Sequence, residues 1–157
     1  MIALESFKRF TLKDIIALVF LSSLWFISSY FLQLLLDPQY SYLWSLLLAT
    51  TLMSFTVHLV RKAGSATLFY VLGGLFTSRI GDLGPLGMNK LLVLFIAGLI
   101  FELLFIIVKL EIKNVQLDIV IGTAFSSASI PLMTAVLLSR SVAFEMVTAL
   151  LNLTLLS

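Results

Sequence analysis

One carboxylic acid stands alone in the most hydrophobic segment of the chain. Glu102 is the only charged residue among the eighteen that separate Lys90 from Lys109. An acid at the centre of a membrane-spanning helix costs roughly 2.5–3.5 kcal/mol, and it is tolerated mainly where it faces a protein interior or a wet cavity. Glu102 is therefore the first residue that we expect to contact a ligand.

Helical spacing surrounds Glu102 with glycine and aromatic residues. With 3.6 residues per turn, Phe95, Gly98 and Phe105 lie on its side of the helix. Gly98 permits a neighbour or a ligand to approach the backbone closely, and an acid flanked by aromatic rings suits a cationic or amino-bearing heterocycle. In the alternative, Glu102 caps a polar group on another helix and has no ligand.

Composition assigns the whole chain to one class of protein. Of its 157 residues 61% are hydrophobic and 11% are charged, and apolar runs of about 20 residues recur along it. We expect a single all-α, polytopic membrane domain over residues 1–157, located in the cell membrane as a multi-pass protein. The chain has no cysteine, which excludes disulfides and thiolate metal sites, and no cofactor is expected.

The hydropathy pattern predicts six transmembrane helices. Turn-forming and charged residues separate the apolar runs, and the glycine-rich segment 79–88 is too polar for hydrocarbon. The last helix is short for a span, so either the chain stops before its natural end or this helix is a minimal span. The predicted helices are approximately Leu12–Leu36, Tyr40–Val60, Ser65–Ser78, Asn89–Leu110, Gln116–Ser139, with Pro131 inside it, and Val142–Ser157.

The basic residues predict the orientation of the helices. If the N-terminus is inside, seven lysines and arginines lie on the cytoplasmic side and three lie outside. The positive-inside rule therefore favours an inside N-terminus, and six spans would return the C-terminus to the same side. Helix 4 then runs inward, which places Glu102 slightly past mid-membrane. It would touch a ligand only if an outer cavity reaches that depth.

Other polar residues form weaker candidate sites. Glu145 shares a helical face with Thr148 and Asn152, and Arg79 and Asp82 flank the glycine-rich connection, which could close over a site as a lid. The alternative for Arg79 and Asp82 is that they pair with each other. Small hydroxylated residues on helices commonly serve packing. Motifs for a hydrolase nucleophile, a metalloprotease or nucleotide binding are missing, so we expect no enzymatic activity.

Three segments together resemble a known family. A basic turn at Arg61-Lys62 with Gly64 opens a short third helix, a Gly-Pro loop follows it, and helix 4 carries glycine and glutamate four residues apart. This order resembles the substrate-binding S component of an energy-coupling factor (ECF) transporter, most closely the hydroxymethylpyrimidine/thiamine type. The resemblance covers residues 12–110, and beyond them only the number of helices agrees.

The resemblance implies a function, partners and site residues. Such S components bind a vitamin or vitamin precursor near the outer face, beside a membrane coupling subunit and two cytoplasmic ATPases. Thiamine-type relatives carry acids or amides where this chain has Tyr70, Thr77 and Ala97, so among these positions only Glu102 matches as an acid. The substrate-binding candidates are Glu102, Tyr70, Thr77, Trp44, Asn89, Glu145 and Phe95; Arg79 and Asp82 would gate the site; and the candidates for partner docking are Ala17, Ser22, Ser23, Ser28 and Ser29.

A second function is compatible with the same residues. In a structural or assembly subunit of a membrane complex, without a small-molecule ligand, Glu102 and the serine stripes would serve helix packing. The two functions differ in whether a small molecule or only protein partners accompany the purified chain.

Overall fold

A computed structural model describes the backbone of residues 9–108, 111–112 and 115–155, and the side chains of residues 9–107 and 117–139 except Gln39. Its elements follow the hydropathy pattern closely over the first four helices. Between the fourth and the fifth helix, two short strands pair in an antiparallel ladder in which Glu111 lies opposite Gln116. The elements are α1 (Leu12–Leu35), α2 (Pro38–Val60), α3 (Ser65–Phe76), α4 (Met88–Val108), β1 (Glu111–Ile112), β2 (Val115–Gln116) and α5 (Leu117–Leu155).

The structure confirms that the chain is built from helices and that several of them are long and apolar enough to cross a bilayer. Four helices of the described chain are long and apolar enough to cross a membrane: α1, α2, α4 and the Leu117–Ser139 part of α5. At 1.5 Å per residue, α3 measures about 18 Å, which is well short of a hydrocarbon core of about 30 Å. The short helix is the feature around which the other elements are arranged.

The predicted separation of helices 5 and 6 is wrong for the described backbone. α5 continues without a break from Leu117 to Leu155, through the predicted turn at 140–141. That turn contains serine and arginine but neither glycine nor proline, so nothing in it ends a helix. Pro131 also lies within α5 without ending it.

Contacts between side chains set the directions of the helices. Ser22 Oγ donates to Phe69 O at 3.3 Å, and the indole of Trp25 lies against Gly73, so α1 and α3 run parallel. α4 runs antiparallel to α3, because Glu102 reaches the start of α3 and Lys90 reaches its end. We call these two ends of the bundle the Glu102 end and the Lys90 end.

Glycines allow α3 to approach its neighbours very closely. A Cβ added to Gly98 would lie 2.7 Å from Thr67 Cα, which is a backbone atom that cannot rotate away. A Cβ on Gly74 would lie 2.9 Å from Leu94, and one on Gly73 would lie 2.1 Å from the Trp25 ring. Small residues at such crossings are the usual means of close helix packing in membranes.

A second set of contacts closes the Glu102 end of the bundle. Thr11 and Asp14 form a capping box at the start of α1. Lys62, in the α2–α3 turn, donates to Arg9 O at 2.8 Å and forms an ion pair with Asp14. The chain before α1 is thereby tied to the turn that precedes α3.

Candidate functional site

Glu102 caps the N-terminus of α3. It is buried, and its Oε1 accepts a hydrogen bond from Ala66 N at 2.9 Å. Its Oε2 has no hydrogen-bond partner among the described residues. The first N–H groups of a helix have no acceptor within the helix and carry partial positive charge, so a carboxylate is well suited to this position. This is the capping alternative considered from the sequence; whether Glu102 also contacts a ligand stays a prediction.

Lys90 performs the complementary task at the other end of α3. Its Nζ donates to Thr77 O and to Ile80 O, each at 2.8 Å. Thr77 is the C-cap of α3, where the last carbonyl groups lack partners and carry partial negative charge. Lys90 and Glu102 are separated by twelve residues of α4, or about 18 Å, which equals the length of α3. One helix therefore supplies an acid and a base to the two ends of its neighbour.

Lys90 also forms a fully buried ion pair with Asp82, in which both side chains have 0% exposure. Asp82 Oδ1 accepts in addition from Leu83 N at 2.9 Å. Arg79, by contrast, is exposed, so the pairing of Asp82 is with Lys90 and not with Arg79. Leu83 is completely buried as well, so the connection between α3 and α4 is anchored into the bundle. A gating role for Arg79 and Asp82 stays a prediction.

Nine buried side-chain N or O atoms of the described residues have no hydrogen-bond partner; three of them, Ser65 Oγ, Thr67 Oγ1 and Glu102 Oε2, lie at the Glu102 end, and the other six lie towards the Lys90 end. Such atoms are rare in proteins, because an unpaired buried donor or acceptor costs about 1–3 kcal/mol. The latter six come from four different segments, and we call them the unpaired polar set: Trp25 Nε1 and Ser29 Oγ of α1, Ser41 Oγ and Ser45 Oγ of α2, Asp82 Oδ2 of the α3–α4 connection, and Thr134 Oγ1 of α5.

Helix register places most members of the unpaired polar set towards the Lys90 end. Trp25 lies beside Gly73, so Ser29, one turn further, lies level with Thr77, the residue that Lys90 caps. Ser29 and Ser45 lie about 9 and 10 Å from the ends of α1 and α2 that meet at the hairpin. Thr134 lies beside Gly84 in the α3–α4 connection. Ser29, Asp82 and Thr134 therefore lie near the end of α3.

Two sequence-predicted residues lie next to this region. Tyr70 is fully buried, and its hydroxyl lies 3.3 Å from Ser126 Oγ, which donates to Ala97 O at 3.0 Å. Thr77 is also fully buried, and its hydroxyl donates back to Gly73 O at 2.9 Å. Both hydroxyls therefore already have partners within the bundle.

Three other candidates lie away from it. Trp44 is 54% exposed and Phe95 is 45% exposed, so both rings lie on the outer surface of the bundle. Asn89 is exposed at the start of α4. Phe95 thus does not share the buried face of Glu102, whereas Gly98 and Phe105 do pack inward. The side chain of Glu145 lies outside the described residues.

The five residues predicted for partner docking separate into two groups. Ser22 and Ser29 are completely buried against the chain's own helices. Ala17, Ser23 and Ser28 are partly exposed, and Ser23 Oγ donates back to Val19 O at 2.8 Å. Partner docking by this face of α1 stays a prediction.

The structure adds site residues that sequence patterns did not indicate. Lys90 was counted only as a topology signal, although its fully buried side chain joins α3, α4 and their connection. Ser41 and Ser45 have the four-residue spacing of one helix face, which was the available signal. Among the described residues no group of three or more His, Cys, Asp or Glu could hold a metal ion.

Comparison with known proteins adds no relative to this picture. No family model, no curated protein and no solved structure matches the chain. The fold is an all-α bundle with helices that are long and apolar enough to cross a membrane. The site is a buried polar region at one end of that bundle.

Substitution of Glu102 should measure the capping of α3. Glu102→Leu removes the acceptor from the first N–H groups of α3, so we expect it to lower the free energy of unfolding by at least about 2 kcal/mol. Glu102→Gln keeps an amide oxygen and should lose less than half as much. Thermal unfolding of the purified protein in detergent measures both. Equal and small effects of the two substitutions would contradict a capping role.

A double-mutant cycle should isolate the buried ion pair. Lys90→Met leaves the buried Asp82 carboxylate without its counter-ion, and we expect a loss of about 3–5 kcal/mol in the free energy of unfolding. Lys90→Met combined with Asp82→Leu removes both charges and should recover part of that loss. Arg79→Met, on the exposed neighbouring arginine, is the matched control and should change stability little. Additive losses from Lys90→Met and Asp82→Leu would show that the pair is not coupled.

Proposed function

We propose that this chain is the solute-binding membrane subunit of an importer: an S component of an ECF transporter for a vitamin or vitamin precursor, with thiamine-related compounds favoured, which is the family that the order of motifs in residues 12–110 resembles. Its solute site is the region at the Lys90 end of the bundle. The observation that supports this proposal is the unpaired polar set, because a polar solute would supply partners that the described residues do not.

The position of the set within the bundle also supports a binding site. The C-terminus of α3, the buried Lys90–Asp82 pair and the α3–α4 connection all meet there. Irregular backbone at membrane depth is tolerated where it is buried in protein or lines a cavity. Sites between the helices of a bundle, with a few convergent polar groups, are a common location for small ligands.

Charge distribution supports an orientation with the N-terminus inside. At the Glu102 end the described loops and helix ends carry Arg9, Lys13, Arg61 and Lys62. At the Lys90 end they carry Arg79 and Lys90, and Lys90 is buried in an ion pair. Under the positive-inside rule the Lys90 end then faces the outside of the cell membrane, where a solute to be imported would arrive.

In the proposed mechanism the chain binds the solute and does not change it chemically. The chain would bind the solute from outside, and a membrane coupling subunit with two cytoplasmic ATPases would supply the energy for its release inside. Ala17, Ser23 and Ser28 remain the candidates for contact with the coupling subunit, since they are the partly exposed members of the α1 set. The six-span topology of the family would require a break that α5 does not have between Leu117 and Leu155.

Glu102 takes a different place in this proposal from the one that the sequence suggested. It lies about 18 Å along α4 from Lys90, at the far end of α3. Its contribution to solute binding is therefore indirect, through the position of α3. Because Glu102→Gln keeps the capping oxygen, it should retain the affinity of the wild-type protein for its solute; a tenfold loss would instead place Glu102 in the solute site.

A subunit that only assembles a membrane complex is the second candidate. The observation in its favour is that Glu102, Lys90 and Tyr70 all have partners within the chain and thereby serve packing. Native mass spectrometry of the purified protein distinguishes the two functions. A co-purifying small molecule supports a solute-binding subunit, and protein partners alone support an assembly subunit.

Cysteine labelling should establish the orientation. The chain has no cysteine, so single substitutions can be labelled selectively. We expect Leu86→Cys, in the exposed part of the α3–α4 connection, to react with a membrane-impermeant maleimide in intact cells. Ala63→Cys, in the turn before α3, should react only after the cells are permeabilised. The reverse pattern would place the proposed solute site on the cytoplasmic side and contradict import from outside.

Serine substitutions should test the solute site itself. A panel of water-soluble vitamins and precursors, including thiamine, is screened for compounds that raise the unfolding temperature. For a compound that does, we expect Ser29→Ala and Ser45→Ala each to weaken binding about threefold to tenfold, the value of one lost hydrogen bond. Ser23→Ala is the matched control, because Ser23 is partly exposed and bonded to its own helix. Equal affinity in all three variants would locate the solute elsewhere.

A further inference from the structure

Trp25 is the largest side chain in the unpaired polar set and was not among the candidates for solute binding. It is completely buried in the middle of α1. Its indole stacks on Phe69, with ring centroids 5.6 Å apart and an interplanar angle of 17°, and it meets Tyr70 edge to face at 6.2 Å. Two neighbouring aromatic rings thus fix the plane of the indole.

Gly73 fixes the direction of the indole within that plane. A Cβ added to Gly73 would lie 2.1 Å from both Cε3 and Cζ3, so the benzene edge of the ring occupies the space that any other residue would fill. Nε1 is on the opposite edge of an indole and therefore points away from Gly73. Tryptophan N–H groups usually have an acceptor when they are buried, yet Nε1 has none among the described residues.

The neighbours of Nε1 along the chain share this property. Ser29 lies one turn further on the same face of α1, is completely buried, and has an unpaired hydroxyl. Ser22, nearly one turn earlier, is satisfied by Phe69 O at 3.3 Å. The change from a satisfied to an unsatisfied side chain along one helix face marks Trp25 as the boundary between packed core and the polar region.

We infer that Trp25 forms the floor of the proposed solute site and that its Nε1–H donates a hydrogen bond to an acceptor atom of the solute. This inference rests on the proposed function. The solute is accordingly a molecule with a carbonyl, carboxylate, hydroxyl or ring-nitrogen acceptor on the part that enters the bundle most deeply. The fixed plane of the ring makes the N–H a directional contact, which favours solutes that place an acceptor at that point.

An isosteric replacement tests the N–H without altering the packing. The chain has only two tryptophans, Trp25 and Trp44. In a Trp44→Phe background, incorporation of β-(3-benzothienyl)alanine in place of tryptophan changes residue 25 alone and exchanges the N–H for sulfur. Thiamine is the first probe, measured by calorimetry and unfolding temperature, and native mass spectrometry records any small molecule that co-purifies. Trp25→Phe also removes the N–H but leaves a cavity in the packed core, so it serves as the control for loss of packing.

We expect the Trp44→Phe protein to retain wild-type affinity, because Trp44 is exposed on the outer surface. Loss of the Trp25 N–H should weaken thiamine binding, or deplete the co-purifying molecule, at least tenfold. The unfolding temperature without solute should stay the same or rise, because an unpaired buried donor has been removed. Addition of solute should also shift the emission of Trp25 in the Trp44→Phe protein.

The outcomes separate this inference from the proposed function. Unchanged solute affinity without the N–H overturns the role of Trp25 and leaves the solute-binding function in place. Absence of any co-purifying molecule and of thiamine binding in the parent protein overturns both. If loss of the N–H lowers the unfolding temperature of the solute-free protein and weakens binding in proportion, Trp25 acts through packing. This result would overturn the inference as well.

Discussion

The fold depends on the way α4 satisfies both ends of α3. A helix of twelve residues is too short to cross a bilayer, so its unpaired N–H and C=O groups lie where lipid offers no partner. α4 carries Glu102 to the first set and Lys90 to the second, at a spacing of about 18 Å that matches the length of α3. The acid meets the positive end of the helix dipole and the base meets the negative end. These two residues therefore determine the register between α3 and α4.

The remaining contacts of α3 follow from that register. Gly98 lies one turn before Glu102 and allows the backbone of Thr67 to approach, while Gly74 makes room for the side chain of Leu94 on α4. On its opposite side α3 presents Gly73 to the ring of Trp25. Because α3 ends early, the α3–α4 connection enters the bundle with Asp82 and Leu83 buried. The polar region at the Lys90 end exists for this reason.

Hydropathy was sufficient to predict the first four helices and the presence of helices that could cross a membrane, because apolar runs of about 20 residues separated by charged or glycine-rich turns have few other solutions. The continuity of α5 was missed because the short polar interval at 140–141 was interpreted as a turn. The interval contains neither the glycine nor the proline that would end a helix. Glu102 was recognised as buried from its isolation among apolar residues, and the capping alternative was stated. Its partner could not be named, because the contact joins residues 36 positions apart.

Sequence patterns predicted fewer features of the site than of the fold. Lys90 follows a polar loop and so was assigned to the membrane surface, whereas the fold draws it inward to three oxygen acceptors. The pairing of Asp82 with Lys90 instead of Arg79 depends on the three-dimensional course of the connection. Trp25 gave only a weak signal, a tryptophan at mid-span where belt anchoring does not apply. Unpaired atoms such as its Nε1 can be identified only when every neighbour is placed.

The capping of α3 by α4 has a consequence for the biosynthesis of the protein. α3 leaves the ribosome before α4, and the residue that caps its first turn is synthesised 36 positions later. Until then the short helix has neither the length to span the membrane nor partners for its ends. In a bilayer, α3 and α4 would therefore have to insert together as one hairpin, because both ends of α3 are capped only when α4 lies beside it.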